Sequence, residues 1–339
     1  MIMRRKWFLC TVLAIISLLV CLSSCAKTVS TEDSTTNEDA EVVSPAPDHQ
    51  DENAPATVYF TSDITPESLV SVYQAMEVEL PGNVGVKLST GESENSNYLR
   101  PALIGDLVQM LNATIVECNT AYGGSRASTE MHMQLAEDHG FTEIAEVDIL
   151  DADGSMELPV EDGNRLSVDY VGSHFANYDS FLVLSHFKGH TMAGFGGAIK
   201  NNSIGFGSAK GKGWIHSGGT SFTDIWGGEQ DAFLEAMADA AKAVDSAMGD
   251  NIVYINVLNR LSVDCDCDGN PAEPDMHDIG ILASTDPLAI DQAAIDLVYA
   301  APDSKSLVER IESRNGLHTL DAAEAIGLGS RNYKLVNIE

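Results

Sequence analysis

Between Ser180 and Thr223 the chain holds four of its ten lysines (Lys188, Lys200, Lys210, Lys212), three of its nine histidines (His186, His190, His216) and no Asp or Glu. At the mean density of 51 carboxylate residues in 339, a stretch of this length would carry about seven. Leaving carboxylates out of a glycine-rich, lysine-bearing segment frees positive charge and backbone N–H groups for an anion, or for an anion bound to a metal. Within it, His186 and His190 stand four residues apart, the spacing that puts two imidazoles on one face of a helix for metal binding. Gly189 weakens a helix there and an apolar strand precedes, so the pair is expected on a loop. Gly194-Phe195-Gly196-Gly197-Ala198 reads as a glycine-rich turn opening a helix that carries Lys200 and Asn201, and its free N–H groups would suit phosphate or carboxylate. The turn lacks the spacing of a Walker A loop and the Ser or Thr after its lysine, which disfavours a kinase or ATPase.

A second constellation is Asp264-Cys265-Asp266-Cys267-Asp268-Gly269. Cys-x-Cys can place two thiolates on one soft metal, with flanking carboxylates as hard oxygen ligands. Asp264, Asp266, Asp268, Gly269 and Asp275 also fall at calcium-loop positions, against which stand Pro271 and an Asp in place of the terminal Glu. A solvated turn is the plain alternative. Further on, Asp286 is placed to cap a helix. Asp291 follows among apolar neighbours, where a carboxylate needs a lysine, a histidine or a metal as partner.

The elements that would hold these residues alternate. Short β-branched runs at 57–60, 84–88 and 113–118 are separated by amphipathic stretches at 66–77 and 98–111, and a helix over 129–139 is closed by Gly140. The pattern predicts an α/β fold, a mainly parallel sheet flanked by helices, in one domain or two lobes. Ser180–Ser185 is apolar enough for a central strand, and the carboxylate-free segment begins at its carboxyl end, where open α/β sheets bind ligands. Beyond it, helices are expected over 229–248, 287–300, 304–313 and 320–326, strands over 252–257 and 279–283, and an edge strand over 333–338.

The first 25 residues read as a bacterial lipoprotein signal: Arg4, Arg5 and Lys6, a short apolar run, then Leu22-Ser23-Ser24-Cys25 as a lipobox whose cysteine takes the lipid. Residues 26–56 are polar, acidic and proline-spotted, the composition of a disordered tether. Residues 57–339 form the folded part. A membrane-anchored, extracytoplasmic lipoprotein is therefore expected. The net charge of −32 excludes nucleic acid as a partner, because a phosphate backbone calls for broad positive potential. Of six cysteines, only Cys118, Cys265 and Cys267 lie in the folded part, an odd count that argues against a disulfide framework and leaves open a bridge from Cys118 to the Cys-x-Cys pair.

Taken in order, VGVKLSTGE (84–92), ECNTAYGGSR (117–126), AEDHGF (136–141), LSHFKGHTMAGFGGAIKN (184–201), DCDC (264–267) and DIGILASTDPLAIDQ (278–292) resemble the domain-of-unknown-function 362 family, many of whose members are named iron–sulfur centre proteins. Many relatives carry a ferredoxin-like cysteine insertion shortly after the glycine and lysine block. Here only residues 211–223 separate Lys210 from Asp224 and none is cysteine, which argues against a ferredoxin-type four-iron cluster. The resemblance implies no particular reaction.

The leading expectation is one site on which the glycine/lysine segment and the Cys-x-Cys loop converge, for a transition metal or a small anionic cofactor. Lys87, Lys188, His190, Gly196, Gly197, Lys200 and Asn201 would bind the anion. His186, His190, Cys265, Cys267 and Asp291 would serve a metal, Asp291 also by orienting a lysine or histidine. A redox protein, an isomerase or oxidoreductase of small organic acids, and a binding lipoprotein without turnover all fit this pattern, so the sequence leaves open whether the chain is an enzyme.

Overall fold

The structure, a computed structural model, describes residues 49–338; the lipobox with Cys25 and most of the expected tether lie outside the described residues. In chain order the elements are β1 (Ala56–Thr61), α1 (Pro66–Ala75), β2 (Val84–Lys87), α2 (Pro101–Met110), β3 (Thr114–Glu117), α3 (Thr129–Asp138) and β4 (Val147–Ile149). Then come β5 (Ser155–Pro159), β6 (Val168–Gly172), β7 (Ser180–His186), β8 (Lys188–His190), β9 (Gly194–Gly196), α4 (Ala198–Ser203), α5 (Ala209–His216) and α6 (Gln230–Met248). The chain closes with β10 (Ile252–Leu258), β11 (Gly280–Ser284), α7 (Pro287–Ala300), α8 (Lys305–Ser313), α9 (His318–Ala325) and β12 (Tyr333–Asn337).

Eight strands form one sheet in the order β12-β1-β11-β10-β7-β2-β3-β4. Only β11 runs against its neighbours β1 and β10; every other adjacent pair is parallel. The sheet is thus mainly parallel and flanked by helices, as the alternating pattern predicts. All seven residues of β7 and of β10 are buried, the mark of central strands covered on both faces. Alternation along β7 sorts the two sides: Phe181 and Val183 pack into the core that holds Ala198, Phe233 and Leu288, whereas Leu182 and Leu184 pack with Leu69, Ile104 and Phe141.

Helix starts follow local chemistry. Thr65, Ser128, Ser208, Glu229 and Asp286 each cap the helix that follows by accepting from its first free N–H groups. Only the last residues of the expected tether are described. Residues 49–51 lie along the start of β12, with Asp51 N donating to Tyr333 O (2.8 Å) and Tyr333 N to His49 O (3.1 Å), because an edge strand offers unpaired backbone groups to any extended neighbour. No helix among the described residues is long and apolar enough to cross a membrane.

Candidate functional site

Lys87 closes β2, Glu117 closes β3 and His186 closes β7, three neighbouring parallel strands, so the three residues stand together at the carboxyl edge of the sheet. A cavity of about 620 Å³ opens at that edge, where parallel sheets place their ligands. Its lining includes Lys87, Lys188, His190, Gly196, Gly197, Lys200 and Asn201 from the expected anion set, and His186, Cys265 and Cys267 from the expected metal set. The loop after β10 brings the cysteines over the strand ends. It is held there by Glu92 N donating to Asp266 O (2.9 Å) and by Asn95 Nδ2 donating to Asp268 O (2.9 Å) and Cys265 O (3.3 Å).

The four cavity lysines differ in what holds them. Lys188 donates to Asp266 Oδ2 (3.0 Å) and to His186 O (2.7 Å), a paired charge. Lys87 donates to Leu88 O (2.7 Å) and to Asn201 Oδ1 (3.0 Å), and Lys212 to Gly207 O (2.5 Å); neither has a carboxylate partner. Lys200 Nζ has no hydrogen-bond partner among the described residues. Lys200 is half-buried and lines the cavity. Burial, with Lys188 and Lys87 nearby, lowers its pKa from 10.5 to about 7. Burial likewise lowers Lys87 to about 8, partly offset by Glu117.

The two cavity histidines outside β7 present opposite faces. His190 Nδ1 accepts from the backbone N–H groups of Met192 (3.1 Å) and Ala193 (2.9 Å), so its proton sits on Nε2, which faces Cys267 Sγ at 3.8 Å. Burial and then the Lys200 charge hold His190 well below the usual imidazole range. His216 donates from Nδ1 to Lys212 O (2.7 Å), which leaves Nε2 as a bare acceptor; burial brings its pKa down to about 4. Both ring nitrogens of His186 are engaged by the fold, Nδ1 with Asp266 Oδ1 (2.9 Å) and Nε2 with Asn259 O (2.7 Å). This corrects its assignment as a metal ligand: the ring fixes the Cys-x-Cys loop to the end of β7.

Cys265 and Cys267 are joined to each other as a disulfide, their Cα atoms 5.2 Å apart, and Cys118 takes no part. The Cys118 thiol is buried outside the cavity lining, donates to Phe206 O (3.2 Å), and is pushed up to about 12 by burial. The ligand atoms of His190, Cys265 and Cys267 all lie within 4.8 Å of one another. Two cavity cysteines are half of what a four-thiolate iron–sulfur cluster takes, so the donor set does not fit that group. The acidic residues of the would-be calcium loop also diverge: Asp266 turns to His186 and Lys188, Asp264 to Arg310 (2.9 Å), and Asp275 to Ser306 (2.6 Å).

Asp291 is not in the lining, which corrects its assignment to the metal set. Its carboxylate accepts from Ala198 N (2.7 Å), Ile199 N (2.9 Å) and Asn256 Nδ2 (2.8 Å), three donors that hold the start of α4 against β10. The helix N-terminus expected to take an external anion is therefore occupied by an internal one. Gly197 belongs to the same arrangement, since a Cβ there would collide with the Asp291 carboxylate. Gly196 serves the lysines: a Cβ would lie 3.1 Å from Lys200 Cδ and 4.0 Å from Lys188 Cε. Asn201 ties α4 to the strand ends through Lys87 O (3.1 Å) and Leu184 O (3.2 Å).

Sequence reasoning missed a cluster on the same cavity. Arg126 donates to Glu92 Oε1 (3.1 Å), Glu117 Oε1 (2.9 Å) and Tyr122 Oη (3.3 Å), and Glu117 Oε2 accepts from Thr90 N (2.9 Å) and Thr90 Oγ1 (2.7 Å). Burial favours a neutral Glu117, but Arg126 and then His132 outweigh it and hold the carboxyl well below its usual range. Glu92, Glu117 and Arg126 all sat in the motif blocks. Nothing in their spacing showed that they would be buried together. Trp226, 70 % exposed, and Tyr122 form an aromatic rim with ring centroids 6.5 Å apart.

Comparison with known proteins adds a family but no function. No curated protein matches the chain. Among solved structures it is similar to the lactate racemase apoprotein from Thermoanaerobacterium thermosaccharolyticum, at 15% identity over 62% of this chain and 52% of that one, with a TM-score of 0.36. It is also similar to a protein from Thermotoga maritima, at 9% identity over 77% of this chain and 58% of that one, with a TM-score of 0.37. The chain thus spans between half and three fifths of the length of these structures. The sequence profile described as "Domain of unknown function (DUF362)" matches residues 84–296, a span that takes in every cavity residue from Lys87 to Gly269, and the chain belongs to that family.

Proposed function

We propose that the cavity binds a small anionic organic molecule, an organic acid or anionic cofactor, and holds it beside the Cys265–Cys267 pair, in a protein tethered by lipidated Cys25 on the extracytoplasmic face of a membrane. The lipobox sequence supports the location. One observation carries the binding: four lysines line a single cavity that also holds the Glu92–Arg126–Glu117 network, and among the described residues only Lys188 of the four is ion-paired to a carboxylate. An uncompensated charge in an enclosed site costs free energy, and a bound anion removes that cost. The aromatic rim of Tyr122 and Trp226 suits an organic anion better than a bare ion. Titration calorimetry with lactate, pyruvate and inorganic phosphate tests the reading: at least one should bind, and the Lys200→Met/Lys212→Met double variant should weaken that binding by tenfold or more. Heats of dilution alone across all three would rule out an anion site of this kind.

A second reading rests on the proximity of His190, Cys265 and Cys267. Once the disulfide is reduced, they would supply three donors for a soft metal with one position open to the cavity. The Nδ1 bonds of His190 oppose this, because Nε2 would have to lose its proton while Nδ1 still accepts two N–H groups. Metal content of protein purified without oxygen, beside Cys265→Ser/Cys267→Ser, decides it: stoichiometric metal lost in the variant favours a thiolate site, and metal-free protein removes it.

A further inference from the structure

Donor counting singles out Lys200. An ammonium offers three N–H groups. Lys188 and Lys87 each spend two and Lys212 spends one, all on oxygens of the fold. Lys200 spends none among the described residues, although it sits on α4, a helix that Asp291 and Asn201 fix in place. Its stem runs beside that of Lys188 over Gly196, so two like charges share one enclosed space. That setting favours the neutral amine, and an uncharged primary amine rigidly placed in a pocket is a nucleophile. The remaining free protons of Lys87 and Lys212 are available for a carboxylate. His216 supplies a bare Nε2 near enough to feel the Lys200 charge.

We propose that Lys200 is a nucleophile that forms an imine with a 2-oxo carboxylate bound in this cavity. The proposal rests on the anion-binding reading of the same site. The carboxylate is held by Lys87 and Lys212, which sets the adjacent carbonyl carbon before Lys200. The Nζ lone pair attacks that carbon, a C–N bond forms, and the carbonyl π electrons move to oxygen, which takes a proton. His216 Nε2 relays both protons of the attacking nitrogen in turn, the first to that oxygen to give the carbinolamine and the second to its hydroxyl, which departs as water while the C=N bond forms. No oxidant or reductant is consumed, and hydrolysis reverses the step.

The test treats the protein with pyruvate and cyanoborohydride, which reduces an imine to a stable secondary amine, followed by intact-mass and peptide mass spectrometry. One adduct on the peptide carrying Lys200 is expected, with none in Lys200→Arg or Lys200→Met, both checked for folding by circular dichroism. Lactate, which has no carbonyl, serves in parallel calorimetry. Binding of lactate and pyruvate without a trapped adduct, or an adduct on another lysine that persists in Lys200→Arg, overturns the imine and leaves the anion site standing. Binding of neither overturns the anion site and the imine with it.

Discussion

Arg126 and Lys200 both line the cavity, and the fold treats them in opposite ways. Arg126 is surrounded by acceptors: Glu92, Glu117 and the Tyr122 hydroxyl take up its donors, and burial is outweighed by Glu117 so that the guanidinium is held charged. Lys200 has no acceptor on its Nζ among the described residues, and burial with the repulsion of Lys188 and Lys87 outweighs the pull of Asp266 and pushes it toward neutrality. A largely satisfied ion network fixes shape and has little left to offer a ligand. An open cation is poorly satisfied by the protein and gains from an outside partner. Within one cavity the first arrangement frames the site and the second marks where chemistry is to be sought.

Removing Arg126 should have the largest effect. Arg126→Met leaves Glu92 and Glu117 buried without their common cation and should lower unfolding free energy by about 3–5 kcal/mol in a denaturant titration. A loss below about 1 kcal/mol would break the comparison, since the network would then be no frame. Asp291→Ala comes next. It strands Ala198 N, Ile199 N and Asn256 Nδ2 and should cost about 2 kcal/mol, with weaker lactate binding because α4 carries Lys200.

Lys200→Met should have the smallest effect on stability, a change near zero or a gain of about 1 kcal/mol, because an unpaired charge is replaced by an apolar chain. Its signature lies in pH. The folded pKa of Lys200 lies below that of the unfolded chain, so between about 7 and 10.5 the unfolded state binds more protons and stability rises with pH, levelling off below about 7 where both states are protonated. Lys87, lowered to about 8, contributes in the same sense. The ligand-free protein should therefore gain stability from pH 7 to 10, and Lys200→Met should show a shallower rise. Anion binding should run the other way, weakening above pH 8 as Lys200 and Lys87 lose their protons. Identical pH profiles for the two proteins would mean that Lys200 titrates normally.

Much of the architecture could be read from the chain. The strands at β2, β7 and β10 and the helices α1, α3, α6 and α7 fall within a few residues of their expected bounds, because periodicity and capping are local properties. The carboxylate-free stretch begins on β7 and continues into residues that line the cavity at its end. What misled was the assumption that a glycine-rich helix start is open to an external anion. Asp291, about ninety residues further along the chain, fills it. Neither spacing nor composition discloses that His186, expected as a metal ligand, bonds to Asp266 across 80 residues.

By itself the sequence determined an α/β sheet, the segment that bears the cations, and the lack of cysteines for a ferredoxin-type cluster, since each follows from residue type and near-neighbour pattern. Only the tertiary structure decided which charges are satisfied. Arg126 meets Glu92 across 34 residues, Lys188 meets Asp266 across 78, and Lys200 meets no acceptor among the described residues. Whether a charge is quenched or left available depends on distances of a few ångströms in a medium of low dielectric, and those distances are set by the packing of elements far apart in the chain.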